Sequence, residues 1–215
     1  MPERSHFSIA GIPVRVEPVF FVIAALFGFR YAQEGTSLVF VWIGVTFVSI
    51  LVHELGHGLV LKAFGQPSHI VLHSFGGVTI SQRRLSKARS VVVSLAGSIV
   101  ALVLLWLPAR TIEASTWFAH EDRTWLRGVV VFTAFANLWW SVANLLPIRP
   151  LDGGNVATEL FGVRVSRRVS LVVAAAAGVW ALTHDQQYAG FFALFLAFQS
   201  YQEISAENGP SRPVV

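Results

Sequence analysis

The sequence predicts an all-α membrane protein of about six transmembrane helices, with a short β-hairpin or re-entrant loop between the second and the third. Three observations predict it. Of 215 residues, 54% are hydrophobic and only 13% are charged, whereas soluble domains carry about 25% charged residues. The mean hydropathy is +0.60. Apolar runs recur at about 18–31, 38–61, 91–107, 129–146, 169–182 and 188–201.

Taken in order, residues 1–17 are interrupted by Pro2, Gly11 and Pro13 and do not end in a small-residue cleavage site, so a removable signal peptide is not expected. The second, third and fourth runs are long enough to span. The first, fifth and sixth fall short of the ~20 residues a crossing needs, and cross only if flanking residues such as Arg30, Thr183 and the interfacial tyrosines extend them. Between the second and third runs, Ile70-Val71-Leu72 and Val78-Thr79-Ile80 flank Ser74-Phe75-Gly76-Gly77, and β-branched residues on both sides of a Gly-Gly turn read as a hairpin. Residues 1–205 are expected to form a single transmembrane catalytic domain. Residues 206–215, with Asn208-Gly209-Pro210 and Pro213, read as a disordered tail.

The formal charge of +4 does not point to nucleic acid, because a membrane protein gathers Lys and Arg at its cytoplasmic loops. With the N-terminus inside and six crossings, 12 of the 16 Lys and Arg residues, Arg83 and Arg84 among them, fall on the cytoplasmic side, and Arg30, Arg110, Arg123 and Arg127 fall outside. Both termini are therefore expected in the cytoplasm. The chain has no cysteine, which excludes disulfides, thiolate zinc sites and a thiol nucleophile. A metal would be held by His, Asp or Glu.

The sequence His53-Glu54-Leu55-Gly56-His57 lies inside the second apolar run. Helical spacing sets His53 and His57 one turn apart on one face, where two imidazoles can share one Zn²⁺ while Glu54 reaches a water activated by it. By chance such a pattern arises in roughly one shuffled sequence in a hundred. Its position strengthens it: an ionisable side chain at the centre of a membrane helix costs up to ~3 kcal/mol, and three in five positions call for a compensating ligand.

A catalytic zinc takes three protein ligands, so a third is required. The candidate is Asp152, in Asn144-Leu145-Leu146-Pro147-Ile148-Arg149-Pro150-Leu151-Asp152-Gly153-Gly154. The fourth run returns this segment to the side on which His57 lies. Pro147 and Pro150 end the helix, and Gly153-Gly154 allow a tight turn. The alternative is that Asp152 only caps a cytoplasmic helix. Asn144 reads either as a helix-packing residue or as a donor and acceptor for a substrate backbone. His69 and His73 read as interfacial residues, and the seven tryptophans mostly as interface anchors and packing.

These residues resemble the site-2 proteases, intramembrane zinc peptidases: HELGH in one span, NLLPIRPLDGG in a later one, an SFGG hairpin between them, and Ser94-Leu95-Ala96-Gly97 in the third span. The sequence departs from the family where Gly97 is followed by Ser98-Ile99-Val100, since relatives usually continue Gly-Pro and soon an Asn. The resemblance implies one Zn²⁺ per chain, held by His53, His57 and Asp152, with Glu54 as general base and Asn144 positioning substrate. It implies a minimal core without PDZ or CBS domain, a prokaryotic cell membrane with the active site near the cytoplasmic face, and a transmembrane protein substrate, such as a signalling protein. A substrate helix must unwind before cleavage, and its freed backbone groups need partners in the membrane. Strand addition near Phe75 to Gly77 would supply them, with Gly76 and Gly77 as substrate-binding residues; a plain connecting loop is the alternative. Two other functions stay open: a metal or proton transporter, which also places His, Glu and Asp in helices, and a pseudoprotease that binds helices without cutting them. The oligomeric state and the substrate's identity are not legible.

Overall fold

The computed structural model describes residues 7–74, 76–82 and 85–208. The chain divides into two compact units, one formed by Met1–Ser86 with Leu95–Val142 and the other by Lys87–Ser94 with Ala143–Val215.

The first unit opens with strands β1 (Phe7–Ile9) and β2 (Ile12–Val16). Ala10 and Gly11, with φ of 50° and 75°, join them, and two residues at positive φ are what a type I′ hairpin requires. Helix α1 (Pro18–Gly28) follows, ending in a 3-10 turn, and then α2 (Thr36–Ala63). Strands β3 (Ser68–His73) and β4 (Gly76–Ser81) pair antiparallel, and β2 pairs in parallel with β3, from Val14↔Ile70 to Val16↔Leu72. The order is thus β1-β2-β3-β4. The sequence suggests a two-stranded hairpin; the structure builds a four-stranded sheet. Pro13 stands opposite Ser8 of β1, just before the parallel ladder begins, so its missing N–H costs that ladder nothing. Ile12, Val14, Val16, Ile70 and Leu72 are buried on one face with Phe20, Ile50 and Leu51. The sheet therefore packs against α1 and the second half of α2.

Helix α3 (Lys87–Glu113) enters the first unit at Leu95 and widens to a π-turn over Leu102–Trp106. Pro108 explains the turn: it offers no N–H to the preceding carbonyls and its ring crowds them. A short helix α4 (Thr116–Ala119) leads to α5 (Thr124–Leu145). Beside α4, the Glu121 carboxylate accepts hydrogen bonds from the Arg123 side chain at 2.7 and 2.8 Å. That guanidinium holds the Glu121 carboxyl down at about 2.

The second unit contains α6 (Asp152–Phe161), α7 (Val163–Thr183) and α8 (Gln187–Asn208). α7 and α8 pack through reciprocal small residues: a Cβ on Gly178 would meet Leu194, and one on Gly190 would meet Leu182. Ile148, Ala174, Leu196 and Ala197 form the core of this unit.

Among the described residues, α2, α3, α5 and α7 are long and apolar enough to cross a membrane, which supports an integral membrane protein. The Pro18–Tyr31 helix is shorter, and at ~1.5 Å per residue it does not cover a ~30 Å hydrocarbon core. The helix α6 is absent from the apolar pattern because its hydrophobic residues occupy one face only. Of the tail 206–215, residues 206–208 continue α8. Residues 209–215, Arg83, Arg84 and Phe75 lie outside the described residues.

Candidate metal centre and active site

His53, Glu54 and His57 lie in the second half of α2 with relative exposures of 2%, 4% and 6%. Such burial of three ionisable groups is unfavourable unless each finds a partner. The helix repeat turns both imidazoles to one side, with their Nε2 atoms 3.2 Å apart. Two nitrogens on one tetrahedral zinc, each bound at about 2.0–2.1 Å, stand about 3.3–3.4 Å apart. The pair therefore fits a shared zinc ion.

Two helices leave room for that centre. A Cβ on Gly56 would lie 2.8 Å from the Ala96 carbonyl oxygen and 2.9 Å from the Gly97 Cα, so α2 and α3 cross backbone to backbone. At that crossing a Cβ on Gly97 would stand 2.4 Å from His57 Nε2 and 2.9 Å from His53 Nε2. Gly97 thus keeps open the space into which both nitrogens point. The Ser94-Leu95-Ala96-Gly97 motif acquires its physical reason here, in Ala96 and Gly97. From α5, Asn137 Nδ2 donates to Ser49 Oγ at 2.9 Å, one helical turn before His53, and the Trp140 ring meets the His53 ring edge to face at 6.4 Å.

The sheet approaches the same face of α2. Along β4, Gly77 and Thr79 pair with the buried Leu72 and Ile70 of β3, so all four share the face turned to the helix. Thr79 Oγ1 donates to Glu54 Oε2 at 2.7 Å and lies 3.1 Å from the Glu54 carbonyl oxygen. A Cβ on Gly77 would be 2.4 Å from Glu54 Cγ. Gly76, with φ of 125°, adopts a backbone that other residues avoid, and a Cβ there would strike the Trp140 ring at 2.8 Å. His69 and His73 alternate with the buried Ile70 and Leu72 and so belong to the sheet's other face. Trp140 packs inside the site, against the His53 ring. Thr79 and Trp140 are the site residues that motif reading missed; Thr79 looks in sequence like any β-branched strand residue.

In the second unit, Asn144 is buried near the end of α5. The chain then turns: Leu146 O accepts from Ile148 N at 2.7 Å, and Ile148 O from Leu151 N at 2.8 Å. Ser170 of α7 pins this turn, accepting from Arg149 N at 3.0 Å and donating to the Pro147 carbonyl at 3.3 Å. A Cβ on Gly153 would lie 2.2 Å from Leu145 O, and one on Gly154 would lie 2.5 Å from Ile148 O. The two glycines therefore let α6 start directly against the turn. Leu151 occupies the cap position and Asp152 is the first helical residue.

An apolar helical fold thus carries a buried His-Glu-x-x-His turn beside a β-strand that grips the glutamate. No protein-family model matches the chain. Three curated relatives do. A putative zinc metalloprotease of Synechocystis sp. is 32% identical over 167 residues, 71% of this chain and 42% of the relative. A zinc metalloprotease of Methanocaldococcus jannaschii is 25% identical over 80% of this chain and 49% of its own length. Stage IV sporulation protein FB of Bacillus subtilis is 27% identical, over 80% of this chain and 58% of its own length. The chain thus spans about half the length of the curated relatives it matches. The solved site-2 protease of M. jannaschii shares the fold, with a TM-score of 0.61 over 99% of this chain and 98% of that one at 20% identity. The chain is thus similar to zinc metalloproteases over about half of their length, and similar in fold to a solved site-2 protease.

Proposed function

We propose that this chain is an intramembrane zinc endopeptidase that hydrolyses a peptide bond in or near a transmembrane helix of a membrane protein. One Zn²⁺ would be held by His53 and His57, with Asp152, the carboxylate that the sequence pattern singles out, as the third ligand. The observation that carries the reading is the 3.2 Å separation of the two imidazole nitrogens, with a glutamate carboxylate on the intervening turn. When bound, the ion supplies the Lewis acidity that polarises the scissile carbonyl and acidifies water.

Glu54 takes the proton from the attacking water as the new C–O bond forms, then delivers it to the leaving nitrogen as the C–N bond breaks. No covalent enzyme intermediate is needed. The unwound substrate backbone adds to the open edge of β4, which ends the sheet. Gly76 and Gly77 lie on that strand, and Asn144 offers both a donor and an acceptor to the same backbone. Both termini face the cytoplasm, as the distribution of Lys and Arg indicates. A signalling protein of the membrane is the substrate class the kinship suggests.

The test is Glu54→Ala in cells and in vesicles. Membrane proteins that accumulate in the variant, and that the purified wild-type chain cuts while the variant does not, are the expected result. A variant that keeps its zinc and still cuts them would refute the base assignment. A wild-type chain that binds zinc and transports it would favour the transporter class.

A further inference from the structure

We infer that Thr79 is a positioning residue for Glu54, and that β4 ties the seating of a substrate strand to the readiness of the base. This rests on the proposed role of Glu54. A threonine hydroxyl carries one proton, and of its two candidate acceptors the Glu54 carboxylate oxygen Oε2 is nearer, at 2.7 Å against 3.1 Å for the carbonyl. A hydrogen bond to a charged acceptor is also the stronger of the two. Two residues earlier, on the same face of the strand, the space that a side chain at Gly77 would fill is taken by Glu54 Cγ, Cδ and Oε1, at 2.4 to 2.8 Å from the missing Cβ.

The glutamate is therefore held at two points by one strand: its methylene lies under Gly77, and one oxygen is tied to Thr79. The strand that does this is also the edge of the sheet. A substrate pairing with that edge stiffens the element that aims the base, so an incorrectly seated chain meets a less well-aimed carboxylate. A purely structural threonine would satisfy its hydroxyl on the carbonyl and contribute only strand shape.

Thr79→Val keeps the shape and removes the donor; Thr79→Ser restores the donor. The probe is a single-span reporter peptide in vesicles with a fluorophore and quencher flanking its helix. For Thr79→Val we expect zinc content and KM near wild type and kcat lowered about 10- to 100-fold, with Thr79→Ser recovering most of it. An unchanged kcat, or a loss that serine does not rescue, overturns the inference. A second readout needs no turnover: in protein labelled with ¹³C-carboxyl glutamate, the wild-type minus Glu54→Ala infrared difference isolates the Glu54 carboxylate band. That band should shift in Thr79→Val and return in Thr79→Ser. A band that stays in place overturns the inference. A shifted band in a chain that cuts nothing would leave the positioning intact and refute the protease reading.

Discussion

His53 and His57 take their spacing from the helix that carries them, whereas Asp152 takes its place from a turn. In α2 the four-residue repeat alone brings the two Nε2 atoms to 3.2 Å, and neighbouring elements contribute by staying out of the way, as Gly56 and Gly97 do. The 145–154 segment has no such repeat. Its course is set by two prolines, by the hydrogen bonds of Ser170 to both sides of the turn, and by glycines pressed against the carbonyls of Leu145 and Ile148. A ligand pair built on regular structure tolerates change around it, whereas a ligand presented by a turn depends on every contact that shapes the turn.

The largest effects should come from the groups proposed to carry the chemistry. Asp152→Ala is expected to abolish both zinc retention and cleavage, read by metal analysis beside the reporter assay. Glu54→Ala should keep zinc and lose about 10²- to 10⁴-fold in kcat. If the two variants lost zinc equally, the division between ligand and base would be wrong. Next in size is Gly153→Ala. Its Cβ would meet backbone oxygen rather than a mobile side chain, so overpacking of about 1–3 kcal/mol or more is expected, seen as a lower Tm in detergent. Gly97→Ala should instead weaken zinc binding with little change in Tm, because the atoms it would crowd are the imidazole nitrogens. Equal loss of Tm in both variants would erase the contrast between the two regions.

Much of this was legible from the residues. The apolar runs gave the helices because hydropathy reports what faces lipid, and the His-Glu-x-x-His spacing gave the pair on α2 because the helix repeat is fixed. The Pro-Gly-rich turn singled out Asp152 as the candidate third ligand. Hidden from the sequence was whatever depends on distant pairing. β2 joins the sheet through Val14↔Ile70, a contact no local pattern reports, and Thr79 meets Glu54 only once that sheet has formed. α6 was legible only as the cytoplasmic helix that Asp152 could open, because one apolar face on a short helix gives no continuous hydrophobic run.

The smallest effect lies outside both regions, at Glu121. Its carboxyl is held at about 2, chiefly by the Arg123 side chain, against an ordinary value near 4.5. A depressed carboxyl adds stability that is complete above the ordinary value and is lost as the pH falls toward about 2. Glu121→Gln should lower Tm slightly at neutral pH and converge with wild type as the pH drops through that window. The zinc ligands should be indifferent to this substitution; a change in metal content would show that the loop reaches further than its contacts suggest.

X-ray absorption at the zinc edge of the purified chain would read the proposed coordination itself. Expected is one zinc per chain with two imidazole nitrogens and a carboxylate oxygen at about 2.0–2.2 Å, and a spectrum that loses the carboxylate, or the zinc itself, in Asp152→Ala. Full zinc occupancy and an unaltered coordination shell in Asp152→Ala would contradict it.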